Sequence, residues 1–372
     1  MKNFIISLVI LIAIFDSTLL AQDNDMLQDI SNLRAKYQGI IDDNRKFYKN
    51  TIEENRKFYT GLISKQWGKN NVKFSDKKSF TQYSKDLKQR ETIDYKKGRV
   101  TLEILSDKRP TLKEFDKKYK KLSKQTISQN TKNDPLFKNS KIDKTNNQQL
   151  NKKIIKQKKF NNQDIKTKYV DNKTIYYIDV PLVSGYIKKL ANHYMKDIKY
   201  YSKLYDIKPS YILAIIQTES SFNPNAVSYV PAFGLMQIVP NTAGKDVNRY
   251  LTGKKSKPTQ NYLENPSNNI KMGTTYIKII QSRYLKGVKN KENLYLCTST
   301  AYNAGIGNLY KSFTGSKAKK TQTIRKINNS NADDIYNHLY NSTRLTDEAN
   351  QYVRKVRDFG MRWERSLKNG EI

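Results

Sequence analysis

Beyond residue 183 the apolar positions fall at helical spacing. YIKKLANHYMKDIKYYSKLY, PSYILAIIQTESSF, NNIKMGTTYIKIIQSRYL, NLYLCTSTAYNAG and DEANQYVRKVRDFGMRW repeat apolar residues every three or four positions, with turn signals between them. They predict a mainly α C-terminal half. Upstream the pattern changes. TIYYIDVPLV (174–183) reads as a short strand ended by Pro181, and ETIDYKKGRVTLEIL (91–105) reads as a β-hairpin with Gly98 at its turn. A helical stretch over 24–67 carries the near repeat DNRKFY (43–48) and ENRKFY (54–59), 11 residues apart and so on nearly one helix face. Two copies are too few for a solenoid, and the repeat reads as an amphipathic helix. The N-terminal part is therefore expected to be a small α+β unit.

Between the two patterns, residues 117–168 turn to Lys, Asn and Gln with scattered apolar positions, as in NSKIDKTNNQQLNKK. Such a segment buries too little apolar surface to offset its ordering entropy and is expected to be a linker. At the start, MKNFIISLVILIAIFDSTLLAQDND has a secretory layout: Lys2, an apolar run from Phe4 to Phe15, and small Ala21 before a polar segment. An uncleaved signal anchor is the alternative. LLAQ is like a lipoprotein box with Gln22 where the lipid-accepting Cys stands. The expected layout is a signal peptide (1–21), an α+β module (22–116), a linker (117–168) and a helical domain (169–372).

Composition adds less. The 372 residues hold 69 Lys plus Arg against 34 Asp plus Glu, a formal net charge of +35. That excess suits nucleic acid, an anionic membrane face or an acidic polymer, or reflects a Lys- and Asn-rich composition, since the Lys residues follow no one patch. No nucleic-acid motif accompanies the charge. Cys297 is the only cysteine, so no intrachain disulfide forms, and NLYLCTSTAYNAG reads as buried packing. His193 and His338 lack metal-ligand spacing, so no metal site is expected.

The candidate chemistry lies in AIIQTESSFNP (214–224). Glu219 is the only Asp or Glu between Ile207 and Lys245. Pro209 marks a helix start, Ile212, Ile215, Ile216 and Glu219 share one face, and Asn223-Pro224 stops the helix. An apolar stripe and the negative end of a helix dipole both favour the protonated carboxyl, as a general acid requires. A Glu leaning to solvent from the helix end is the other reading of this helix. The next stretch favours the acid. NAVSYVPAFGLMQIVPNTAG (225–244) has no acidic residue and sets Ser228 and Gln237 among Gly234 and Met236. Neutral hydrogen-bonding groups beside flat apolar ones suit a sugar chain with hydroxyl and acetamido groups. AYNAGIG (301–307) places Tyr302 and Asn303 where a helix yields to a loop, although Asn-Ala-Gly is also an ordinary helix stop.

ESSFNPNAVS, GLMQIVPNTAG and AYNAG, in this order and at these distances, resemble the catalytic domain of the lytic murein transglycosylases, relatives of goose-type lysozyme. YLENPSNNIKMGTTYI, QSRYLKG and INNSNADDIYNHL resemble the connecting segments of that family's membrane-bound C-type subgroup. WGKNNV, YSKDLKQR and DYKKGRVTLEIL resemble its N-terminal module. The resemblance implies a mainly α fold: a lysozyme-like α-helical catalytic domain at the C-terminus plus a small α+β N-terminal domain. It implies a substrate, the glycan strands of peptidoglycan, and a water-free cleavage between N-acetylmuramic acid and N-acetylglucosamine. In that scheme Glu219 protonates the glycosidic oxygen. The carboxylate then takes the proton of the muramoyl 6-hydroxyl, which closes a 1,6-anhydro ring. No second carboxylate is needed, unlike a retaining glycosidase with its partner at about 5 Å. The nearest downstream acid, Asp246, reads as part of a helix start.

By the same resemblance Ser228 and Gln237 hydrogen-bond the sugar, Met236 packs beside them, and Tyr302 orients the carboxylate. Asn303 shapes the groove and Tyr352 lines it. Core packing is the competing reading for these secondary residues. Two rival activities stand: a goose-type lysozyme that leaves reducing ends, and a non-catalytic wall-binding protein. The expected setting is exported and periplasmic, at the cell envelope, with no cofactor and no nucleic-acid partner.

Overall fold

The YKKG signal closes a hairpin between β2 (Gln89–Asp94) and β3 (Arg99–Leu105) in the computed structural model. Gly98 adopts φ 66°, and its N–H donates to Asp94 O at 2.9 Å. A Cβ at this position would come within 2.7 Å of the Tyr186 ring, so the residue is glycine for both its dihedral and its neighbour. The structure describes residues 52–137, 148–228, 232–315 and 317–372. The signal-like segment with Gln22, and the first copy of the near repeat, lie outside the described residues.

The hairpin belongs to a five-stranded antiparallel sheet of order β1-β2-β3-β5-β4, completed by β1 (Ser79–Tyr83), β4 (Lys166–Val170) and β5 (Lys173–Pro181). Ile93, Val100, Leu102, Ile178 and Val180 are fully buried. Helix α1 (described over residues 52–67) ends at Trp67, whose indole covers the Arg90 guanidinium with its centroid 4.2 Å away. Arg90 forms a bidentate pair with Glu103 (Nε to Oε2 2.6 Å, Nη2 to Oε1 2.9 Å), and both side chains are 0% exposed.

The linker expectation for 117–168 is corrected. Those residues continue α2 (Leu112–Lys124) and form α3 (Ile127–Asn133), α4 (Leu150–Ile154) and β4. Only 138–147 within them lie outside the described residues. Sparse apolar positions suffice because described ones are used: Tyr119 and Leu122 share one face of α2 with Phe115, and Ile127, Leu150 and Ile154 are buried too. Capping boxes at Thr111/Glu114 and Thr126/Gln129 start the two helices, and TLKE and TISQ carry that signal openly. The boundary at 169 moves as well. The strand-like TIYYIDVPLV is β5, a central strand of this sheet, pairing Thr101 with Asp179.

From there the chain is helical: α5 (Tyr186–Tyr205), α6 (Pro209–Ser220), α7 (Lys245–Thr252), α8 (Gln260–Glu264), α9 (Pro266–Ile279), α10 (Lys291–Ala304), α11 (Ile306–Thr314), α12 (Lys320–Asn328), α13 (Ala332–Tyr340) and α14 (Asp347–Lys368). One core gathers Leu296, Cys297, Ala301, Leu309, Ile327, Leu339 and Val353 from α10 to α14. Cys297 is fully buried there, and burial pushes its thiol well above the usual range. Asn55–Ile372 forms one compact unit, so sheet and helices share a single body. Tyr186 at the start of α5 donates to Tyr95 O at 2.7 Å in the hairpin turn, one of the bonds joining the two parts.

Candidate active site

Helix α6 is enclosed along most of its length, with Ile212, Leu213, Ile215 and Ile216 fully buried. Pro209 occupies its first turn, where a missing N–H leaves no bond unmade. Its longest neighbour is α14. Ala214 sits 4.0 Å from the place a Cβ on Gly360 would take, so small residues let the helices approach. Trp363 Nε1 donates to Gln217 Oε1 at 2.7 Å, and the Trp363 ring meets Phe222 edge-on. The helix ends because Ser221 and Phe222 adopt φ 52° and 62°, ahead of the Asn223-Pro224 stop read from the sequence.

Glu219 therefore lies in the last turn, 7% exposed. From α14 the Tyr352 hydroxyl donates to Glu219 Oε1 at 2.7 Å. Burial pushes this carboxyl up to about 7; the Tyr352 bond and the charges of Lys77 and Lys78 pull down, and Glu348 adds to the rise. Near neutral pH both protonation states are populated, which suits a group that must first give and then take a proton. Since Oε1 accepts from Tyr352, the proton of the neutral form belongs on Oε2, and no described residue is hydrogen-bonded there. Asp246 stands in the first turn of α7, as a helix start.

The hydrogen bond to the carboxylate comes from Tyr352 and not from Tyr302, to which the resemblance gave it. The Tyr302 hydroxyl donates to Met236 O at 2.8 Å, and its ring packs 5.5 Å from that of Tyr276. It holds the loop, while Tyr352 holds the carboxylate, because α14 rather than α10 runs along α6. Met236 is fully buried, and a Cβ on Gly273 would come within 2.4 Å of its sulfur. Gln237 has φ 48°, and its Nε2 donates to Ala226 O (3.1 Å) and Gly234 O (3.0 Å). Its Oε1 is buried without a hydrogen-bond partner among the described residues, an acceptor suited to an amide N–H. Ser228 Oγ accepts from Ala232 N at 3.1 Å; residues 229–231 between them lie outside the described ones. Asn303 is half-buried near the end of α10.

The sequence reading missed three groups. Asn269 is fully buried, and its amide ties Met236 N (2.8 Å), Phe233 O (2.7 Å) and Leu263 O (2.8 Å) together. An amide on the apolar stripe of NNIKMG was its available signal. The charges of Lys77 and Lys78 act on Glu219 from the segment before β1, far away in sequence, and nothing local announces them.

Tyr352→Phe is expected to lower the turnover rate roughly 10- to 100-fold, the scale of a misplaced reacting group. The Tyr352 bond lowers the Glu219 pKa, so its loss raises that pKa and moves the alkaline limb of the pH–rate profile upward. An unmoved limb would show that Tyr352 does not govern the carboxyl.

A model of the transglycosylase SLT domain matches residues 196–325, and a model of the N-terminal domain of membrane-bound lytic murein transglycosylase C matches 44–193. The second match spans the sheet with β4 and β5. Membrane-bound lytic murein transglycosylase C of Actinobacillus pleuropneumoniae serotype 5b (strain L20) is 31% identical over 306 residues, 78% of this chain and 81% of that protein. The protein of that name from Serratia proteamaculans (strain 568) is 40% identical over 182 residues, 49% of each chain. Among solved structures, the 70 kDa soluble lytic transglycosylase of Escherichia coli is 26% identical, with a TM-score of 0.36, covering 47% of this chain and 24% of that one. By sequence and domain order, the chain belongs to the lytic murein transglycosylases, lyases of peptidoglycan, in the group of membrane-bound lytic murein transglycosylase C.

Proposed function

We propose that this enzyme cleaves the β-1,4 bond between N-acetylmuramic acid and N-acetylglucosamine and leaves 1,6-anhydromuramoyl ends, with Glu219 as the sole proton carrier. The observation that carries the reading is the state of Glu219: buried, tied at one oxygen by Tyr352, and held at about 7. In the first half of the reaction the Oε2 proton passes to the glycosidic oxygen as the C1–O bond breaks. In the second half the carboxylate, stabilised by Tyr352 and the nearby lysines, takes the proton of the muramoyl 6-hydroxyl. That oxygen bonds to C1, so the acid is regenerated and no water is consumed. Glu348, the carboxylate that acts on Glu219, is exposed and pairs with Lys77 at 3.7 Å, which suits a surface ion pair rather than a nucleophile. Gln237 Oε1 would accept from an acetamido N–H, and Tyr302, Met236 and Asn269 hold the loop that presents it.

The reading places the enzyme outside the cytoplasm, in the periplasm at the cell envelope, where its substrate lies; the secretory layout of the first residues supports this. Among the described residues no helix is long and apolar enough to cross a membrane. Digestion of purified sacculi followed by mass spectrometry tests the chemistry. Fragments lighter by one water than reducing-end muropeptides, with no oxygen taken from labelled water, are expected. Reducing ends carrying solvent oxygen would make the enzyme a hydrolase of the goose-lysozyme kind.

A further inference from the structure

Two asparagines follow Glu219 in FNPNA (222–226), and both are buried against the sheet module. Asp76 Oδ1 accepts from Lys78 N and Ser79 N, 2.7 Å each, which folds Asp76–Ser79 into a tight turn ahead of β1. The Asn223 amide makes long contacts to that turn, with Asp76 O and Ser79 O each at 3.5 Å. The Asn225 amide is held more tightly, by α3. Its Nδ2 donates to Thr131 Oγ1 at 2.7 Å and to Ile127 O at 3.3 Å. Thr131 is buried and gives its own proton to Ile127 O at 3.2 Å, so its oxygen is the acceptor toward Asn225. A carbonyl can only accept, and Ile127 O therefore fixes which end of the Asn225 amide faces α3.

The next residue passes this anchoring on to Gln237. Ala226 O accepts from Gln237 Nε2 at 3.1 Å and from Gly234 N at 2.9 Å, and Gly234 O accepts from the same Nε2 at 3.0 Å. Two carbonyls at one end of the Gln237 amide decide its orientation. The nitrogen must face them, and Oε1 is left as the buried acceptor without a partner among the described residues. A displaced Ala226 carbonyl would free the amide to turn and set N–H groups where the acceptor stands. A continuous path thus runs from Thr131 through Asn225 and Ala226 to Gln237 Oε1. Each of these residues is buried, where an unmade hydrogen bond costs most.

We propose that Thr131 and Asn225 are positioning residues through which the N-terminal sheet module sets the acetamido acceptor of the catalytic domain. The inference rests on the function proposed above and deepens it, since Gln237 Oε1 is there the acceptor for an acetamido N–H. Thr131 acts only through others: it holds the Asn225 side chain, Asn225 places the Ala226 carbonyl, and that carbonyl holds the Gln237 amide. Glu219 has separate support, from Tyr352 on α14. Sugar binding and proton transfer are therefore steadied from different parts of the chain, the first from α3 and the second from α14. In this arrangement the N-terminal module contributes to recognition of the glycan by orienting a group of the neighbouring domain.

The test is a double-mutant cycle read by the kinetics of cleavage of soluble glycan strands. Thr131→Val keeps the shape of the side chain and removes its hydroxyl. It is expected to raise KM roughly two- to tenfold, the scale of one neutral hydrogen bond, while kcat and the alkaline limb of the pH–rate profile stay in place. A mere loss of folded enzyme would instead lower the apparent kcat and leave KM. Thr131→Ser returns the acceptor and is expected to restore KM. In a Gln237→Ala background Thr131→Val is expected to change KM no further, because the amide it positions is gone. Should Thr131→Val melt early, Asn225→Ala carries the same expectations from the other end of the bond. An unchanged KM in both variants overturns the proposal, and so does a rise that persists in full beside Gln237→Ala. Reducing-end products from the unaltered enzyme would instead overturn the proposed function and leave the cycle readable.

Discussion

Glu219→Gln is expected to reduce release of anhydromuropeptides from sacculi by roughly 10³-fold, within the range for removing a general acid–base group. The amide keeps the shape and can still accept the Tyr352 hydrogen bond, but it can neither give nor take the proton. The fold should survive, and its pH response identifies the carboxyl. Glu219 is raised from a reference of 4.5 to about 7, so between these values the folded chain binds more protons than the unfolded one. Its contribution to stability is present below about 4.5 and is lost as pH rises through 7, a loss on the order of 3 kcal/mol. The variant lacks that loss. Asp134 and Glu264, also raised to about 7 by burial, act alike in both proteins and cancel in the comparison. Melting the two proteins at pH 5 and pH 8 should therefore show the unaltered enzyme losing ground to the variant at the higher pH. Near-normal product release would remove Glu219 from the mechanism, and parallel melting at both pH values would contradict its burial as an acid.

The second large effect concerns stability in the sheet. Burial alone would push Glu103 up. The bidentate bonds from Arg90, with Lys73 and Lys168 added, outweigh it and hold the carboxyl down to about 2. A folded value below the reference of 4.5 means that this stabilisation is present above about 4.5 and is lost as pH falls towards 2. The shift corresponds to about 3 kcal/mol. Glu103→Gln removes the one carboxylate facing three cations and leaves Arg90 buried and uncompensated, expected to cost about 3–5 kcal/mol of unfolding free energy. Because Trp67 covers the pair, Arg90→Met/Glu103→Leu should recover much of the loss: the double variant buries apolar groups where the single one strands a charge. Denaturant midpoints measure both. If Glu103→Gln matched the parent, the pair would hold nothing together. The consequence reaches the active site, since β1 begins at Ser79, the end of the segment that carries Lys77 and Lys78.

How much of this was legible beforehand depends on the distance over which each signal acts. The helices with strong apolar periodicity, the YKKG hairpin and the start of α6 at Pro209 were readable because those signals are local. Steric limits and 3.6-residue spacing operate within a few residues. The position of Glu219, at the end of an apolar helix in an acid-free stretch, was readable for the same reason. The linker misreading shows the limit of composition. Residues 117–168 average too polar to fold as an isolated stretch, yet Tyr119, Leu122, Ile127 and Ile154 are each buried in the assembled chain. Averages over a window do not register a few residues that are all used.

The tertiary structure decided which partner each group meets. Tyr302 and Tyr352 are indistinguishable by type, and only the course of α14 along α6 gives the second of them the carboxylate. Likewise β5 joins β3 across a long intervening stretch, and the Asp76–Ser79 turn reaches Asn223 through packing that no local pattern encodes. The sequence alone determined the chemistry available, a lone acid on a greasy helix among neutral hydrogen-bonding groups. The fold determined its protonation and its surroundings, because desolvation and charge proximity are properties of the assembled chain and not of any segment within it.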